Sequence, residues 1–172
     1  FHHEIEKSDD ASSTNFSISE SKINSDRLKY LDERITHLLL SYIRNEDYEF
    51  GQRCDSINLV EEQLNINEVA TQNWFNKLYL KYYSIDESIL LSLLRIVEYL
   101  DKNLLFPTGQ TMALASLSHK NNEVKEMGIR IFENWSCIES YDILKNLKVD
   151  TVWLQEYIEQ VKKDLEEELC LC

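Results

Sequence analysis

Apolar side chains recur along this chain at three- and four-residue spacing, the period of a helix with one buried side. Leu28, Leu31, Ile35, Leu38, Leu39 and Tyr42 predict a helix over residues 26–44, with Ser25 as its N-cap. A polar break over 45–53, containing Gly51, follows. Helices are predicted over 55–64 and 67–83, the latter with Val69, Trp74, Leu78 and Tyr82 on an apolar side. Ser84-Ile85-Asp86-Glu87 has the form of a capping box and opens a helix that runs to residue 100. That helix is apolar nearly all round, with only Ser88, Ser92, Arg95 and Glu98 leaving a polar stripe, so it belongs at the centre of the fold. Pro107 interrupts a connection over 101–109.

Residues 108–135 read as two short helices joined by the polar turn His119-Lys120-Asn121-Asn122. Ser136-Cys137-Ile138-Glu139 is a second capping box and starts a helix to about residue 147. Asp150 is placed to cap a last helix, with Leu154, Ile158, Val161 and Leu165 as its inner stripe. The acidic end of that helix, residues 164–168, opposes the helix dipole. The pattern therefore predicts an all-α fold of about eight helices. Their short connections make successive helices antiparallel neighbours. Residues 25–172 form a single all-helical domain in this reading. Residues 1–24, polar with isolated apolar positions, form a flexible arm, or carry a short docking segment around Phe16 and Ile18.

Composition narrows the picture. Three Gly and one Pro in 172 residues supply few of the turns that a many-stranded β fold needs. A net charge of −13 disfavours direct binding of nucleic acid or of an anionic membrane. It suits a basic protein partner, and it also serves solubility alone. Cys54, Cys137, Cys170 and Cys172 are not spaced as a disulfide framework, which points to a reducing compartment, the cytoplasm. No apolar run approaches a membrane span, and no basic-then-apolar leader pattern opens the chain. The missing initiator Met fits processing, a tag remnant such as His2-His3, or a domain of a longer chain.

Leu114 and Leu117, the polar turn, Val124-Lys125, and then Ile131 and Phe132 follow one another as in a HEAT-type repeat, and the segment 114–135 resembles that family. Two departures are Asn121-Asn122 where the family favours Asp, and Gly128 where it favours Ala. Gly128 lets a neighbouring helix approach closely, at a cost of about 1 kcal/mol in helix propensity. The resemblance implies an irregular HEAT-like α-solenoid, or a helical bundle, with a binding role, and it brings no catalytic residue. A search for a period of roughly 33 to 47 residues gives no clean repeat.

Motifs for chemistry are few. The chain has no phosphate-cradling glycine loop, no His-Glu-x-x-His, no nucleophile elbow and no calcium loop. Glu-x-x-His di-iron spacing fails at both His37 and His119. No cofactor and no metal site is expected, and the terminal Cys170-Leu171-Cys172 lacks two further ligands. His119 reads as a turn residue capping the carbonyls of the preceding helix, and His37 as partly buried. The aromatic group Trp74, Phe75, Tyr79, Tyr82 and Tyr83 is either core or an exposed partner-binding patch. The expected function is a non-catalytic helical scaffold that binds a protein partner. Two alternatives stand beside it. One is an acidic inhibitor or immunity-type protein for a basic enzyme. The other is an enzyme or metal protein with a site dispersed over residues such as His119, Cys137 and Glu123.

Overall fold

The computed structural model describes residues 10–47 and 52–171, with side chains from residue 19 onward. Among these residues every regular element is helical. Helix α1 (Asp10–Tyr30) passes through a π turn at Leu31–Ile35 into α2 (Thr36–Asn45) without a break, so the three segments form one long helix. The polar stretch over residues 10–24, expected to belong to the arm, is helical, and Ser25 lies inside the helix instead of capping it. Residues 1–9, Gly51, Cys172 and the side chains of Phe16 and Ile18 lie outside the described set. At the π turn the Thr36 hydroxyl donates to the Leu31 carbonyl at 3.2 Å. The extra residue resets the helical phase there, and Leu31, Ile35, Leu39, Leu40 and Ile43 all enter the core.

The remaining helices are α3 (Asp55–Ile66), α4 (Glu68–Tyr82), α5 (Glu87–Tyr99), α6 (Thr108–Ser116), α7 (Asn122–Trp135), α8 (Ile138–Leu144) and α9 (Val152–Glu168). With the first helix counted once, there are eight among the described residues, and no helix is long and apolar enough to cross a membrane. Three caps differ from the sequence reading. Asp86, not Ser84, caps α5, its carboxylate accepting from Ile89 N at 3.1 Å. Ser136 closes α7 in the left-handed region (φ 36°, ψ 59°), so the next N-cap falls on Cys137. The N-cap of α9 is Thr151 in place of Asp150.

The helices pair as four hairpins: the first helix with α3, α4 with α5, α6 with α7, and α8 with α9. Among the described residues, every helix–helix contact lies within one hairpin or between successive hairpins. That is the contact pattern of a linear stack, in which each unit buries the apolar side of its neighbours. The central helix α5 buries Ile89, Leu90, Leu93, Leu94, Ile96 and Val97, as its nearly all-apolar circumference predicts. The close approach expected at Gly128 is present, since a Cβ there would sit 2.7 Å from the Ala113 carbonyl oxygen of α6.

Hydrogen bonds between hairpins reveal a hidden register. Thr108 donates to Gln72, Asn121 to Glu87, Asn134 to Glu98 and Trp135 to the Leu100 carbonyl, across separations of 36, 34, 36 and 35 residues. Each pair ascends together along the chain, so α4 runs parallel to α6, and α5 parallel to α7. The bonds Thr151–Asn122 and Ser136–Glu168 extend the same sense to α9. The second helices of the four hairpins begin at residues 55, 87, 122 and 152, and successive starts are therefore 32, 35 and 30 residues apart. No repeat of residue identities accompanies this spacing.

Candidate interaction surface on the second helices

The aromatic group offered by the sequence as a partner-binding patch lies inside the stack. Trp74 and Phe75 are fully buried, Tyr79 and Tyr82 are buried, and Tyr83 is half-buried. Both sides of α4 are covered, by the first helix and by α6. Trp74 donates from Nε1 to Thr36 Oγ1 at 2.8 Å, locking the first hairpin to the second. The Tyr79 hydroxyl donates to the Met112 carbonyl at 3.0 Å, and Tyr83 donates to the Ala115 carbonyl at 3.1 Å, locking the second hairpin to the third. Burial pushes the Tyr79 phenol up to about 12, partly offset by its bond to Ser116, so this donor stays protonated. These residues cement successive units, and none of the five is an exposed recognition surface.

His119 is buried. Its Nδ1 accepts from Asn121 N at 3.0 Å, which leaves Nε2 to donate to the Tyr83 carbonyl at 2.9 Å. The side chain therefore caps the C-terminal end of α4, one hairpin away, and not the preceding helix. Its ring also packs edge-on against Tyr83, 4.8 Å between centroids. Cys137 bonds Ser140 at 3.2 Å beside the α8 N-cap, and Glu123 is exposed in the first turn of α7. Asn121 links His119 and Glu123, donating from its backbone N–H to His119 and accepting from Glu123 N at 2.7 Å. His37 is exposed, not partly buried. Among the described residues no group of three or more His, Cys, Asp or Glu is arranged to hold a metal ion.

What the fold does gather is polar chemistry along α5. The polar stripe of that helix lies at the floor of two grooves, one at each end. The groove at the N-terminal end has a volume of about 810 Å³ and is lined by Arg44, Glu46, Asp47, Glu87, Arg95 and Glu123, among others. Three of its carboxylates have structural duties. Glu46 accepts from Ser56 N and Oγ at 2.8 and 2.6 Å at the start of α3. Asp86 caps α5. Glu87 accepts from Asn121 at 2.7 Å and pairs with Lys120 at 3.6 Å, and the Asn121 bond foremost holds its carboxyl below the usual range. Acid at the start of a helix complements the dipole.

The groove at the other end has a volume of about 480 Å³ and is lined by Arg53, Glu61, Glu98, Tyr99, Asn134 and Trp135, among others. Arg53 donates to Asn58 at 2.6 Å and pairs with Glu61. Glu98 is half-buried and accepts from Asn134 Nδ2 at 2.8 Å. Burial pushes the Glu98 carboxyl up, against the opposing pull of Arg130, Asn134 and Arg95. Further along the same edge, Glu133 accepts from the Tyr157 hydroxyl and Glu166 from the Tyr141 hydroxyl, the latter at 2.8 Å. Sequence reasoning identified the α5 stripe but gave it no role, because the groove exists only once α3 and α7 flank it. No family model, no curated protein and no solved structure matches this chain.

Proposed function

We propose that this chain is a non-catalytic helical scaffold that binds a protein partner on the face formed by its second helices. The observation that carries the reading is the polar stripe of α5 (Ser88, Arg95, Glu98) at the floor of two open grooves within an otherwise apolar stack. Such a stripe leaves polar side chains open to the grooves, a surface that a scaffold can use for recognition. The HEAT-like character of residues 114–135 agrees with the linear contact pattern and with the parallel register of α5, α7 and α9. The net charge of −13 favours a basic partner over nucleic acid. The free thiols Cys54, Cys137 and Cys170 support a reducing, cytoplasmic setting. An acidic inhibitor of a basic enzyme is the narrower form of the same reading.

The test is capture of partners by the full chain from native extract at mild salt, followed by cross-linking. Cross-links that join one recurrent protein to α3, α5 or α7 support the scaffold. Repeated capture that recovers no protein, or cross-links confined to the first helices, removes it.

A further inference from the structure

We propose that His119 is a pH-sensitive clasp: a proton taken up at its Nδ1 frees Asn121 and loosens the wall of the groove at the N-terminal end of α5. This goes beyond the scaffold reading and stands or falls independently of any partner.

His119 is 3% exposed and is the one buried histidine among the described residues. Both ring nitrogens are committed, Nε2–H to the Tyr83 carbonyl at 2.9 Å and the bare Nδ1 to the Asn121 N–H at 3.0 Å. Only the neutral ring with its proton on Nε2 satisfies both bonds. Asn121 makes two more. Its Nδ2 donates to Glu87 at 2.7 Å, tying the start of α7 to the start of α5. Its Oδ1 accepts from Glu123 N at 2.7 Å as the N-cap of α7. Asn121, Glu87 and Glu123 all line the groove. The imidazole is therefore the buried root of a chain of bonds that ends in the groove wall.

A proton on Nδ1 turns that acceptor into a second donor, 3.0 Å from the Asn121 amide nitrogen. Two N–H groups cannot share that line, so the Asn121 N–H loses its partner. The Nε2 bond survives and strengthens with charge, so the ring stays on α4 while the turn lets go. The titratable groups on the elements that meet here are Lys81 and Tyr83 at the end of α4, Asp86 and Glu87 at the start of α5, Glu123 at the start of α7, and Lys120 next to the ring; α6 carries none. Lys81 lies over the Tyr82 ring, the Tyr83 hydroxyl donates to the Ala115 carbonyl, Asp86 caps α5, and Glu123 is exposed. Lys120 opposes a charged ring. Glu87 pulls toward one. Its side chain is 39% exposed and already shared between Asn121 and Lys120, so water and those partners screen the pull. The bond lost at Asn121 lies against a buried ring, where a missing partner costs most. The intact network therefore belongs above the range in which imidazole titrates and is lost as pH falls through it.

The experiment takes the ¹⁵N-labelled full chain from about pH 8 to about pH 5, a span around the ordinary histidine value of about 6.5. Imidazole nitrogen shifts report tautomer and charge, and amide exchange reports opening. At the alkaline end the His119 ring is expected to carry its proton on Nε2. As pH falls the ring should titrate, the amides of Asn121 and Glu123 should shift with the same midpoint, and Asn121 exchange should quicken about tenfold beyond its intrinsic pH dependence. The core amides of Leu93 and Leu94 should stay protected, and the exposed His37 should titrate without moving the turn. His119→Gln keeps a neutral side chain with a donor for the Tyr83 carbonyl, and is expected to abolish the pH dependence at Asn121. An Nδ1–H tautomer at the alkaline end overturns the inference. So does a ring that titrates with Asn121 protection unchanged, a ring that stays neutral to the acid end, loss of Leu93 and Leu94 protection before the ring titrates, or an equal pH dependence in His119→Gln. The titration of the unmodified chain needs no variant to fold.

Discussion

Replacing Gly128 with Ala should destabilise this protein even though it improves helix propensity. An added Cβ would meet the Ala113 carbonyl oxygen at 2.7 Å, Ser116 Cβ at 3.1 Å and Leu117 Cδ2 at 3.2 Å. The first obstacle is backbone and cannot rotate away, so α6 must retreat from α7 by several tenths of an ångström. That retreat loosens the buried contacts of Ala113, Ser116, Val124 and Ile131. The propensity gain is about 1 kcal/mol. Overpacking of this kind costs about 1–3 kcal/mol, and a fixed obstacle raises the cost. The net expectation is a loss of about 1–2 kcal/mol. For a chain of this size, that lowers the melting temperature by roughly 2–8 °C. Urea unfolding followed by circular dichroism checks it, with the midpoint lowered and the slope unchanged. A midpoint equal to or above that of the parent refutes the close approach of α6 and α7, and with it the reason for a glycine inside α7.

Three further outcomes follow from the joints and the groove. Tyr79→Phe should cost only about 1 kcal/mol, because the Met112 carbonyl still receives the Ser116 hydroxyl at 2.8 Å. Since the folded phenol titrates near 12 against an ordinary 10, its contribution is present below pH 10 and lost as pH rises toward 12, so the alkaline fall in stability should shrink in Tyr79→Phe. His119→Ala should cost about 2–3 kcal/mol by stranding the Tyr83 carbonyl and Asn121 N–H, with amide exchange quickening at the ends of α4 and α6; an exposed-residue cost of a few tenths contradicts the joint. Glu98→Gln should stabilise the protein at neutral pH: a carboxyl pushed up by burial is penalised when charged, and that penalty disappears as pH falls through its folded pKa toward the ordinary 4.5. Melting curves of parent and variant should therefore converge below pH 4.5, and a constant gap across pH refutes the burial argument.

The helices were legible from the sequence because each must bury one side, and a buried side leaves a period. Caps were less so. Ser84 and Asp86 both have the chemistry of an N-cap, and only the backbone path after Tyr83 decides between them. The aromatic group was ambiguous for a related reason. Its spacing puts Phe75, Tyr79 and Tyr83 on one side of α4, but it carries no information about whether another helix covers that side. The groove along α5 is a property of three helices at once, so no window of residues contains it.

The hidden register has a more particular cause. A search for repeats looks for like residues at a fixed separation. In a parallel stack, however, residues about 35 positions apart face one another across the interface, and facing residues must complement each other. Glu87 meets Asn121, Glu98 meets Asn134, Gln72 meets Thr108, and Tyr79 meets Ser116. An acceptor selects a donor, and a large ring selects a small hydroxyl. Two glutamates at positions 98 and 134 would repel, and two tyrosines at 79 and 116 would collide. The interactions that hold successive units in register therefore work against identity between them. An irregular stack of this kind shows its period in complementary pairs across about 35 residues, and a search for donor–acceptor and large–small pairs at that separation should find it where a search for likeness does not.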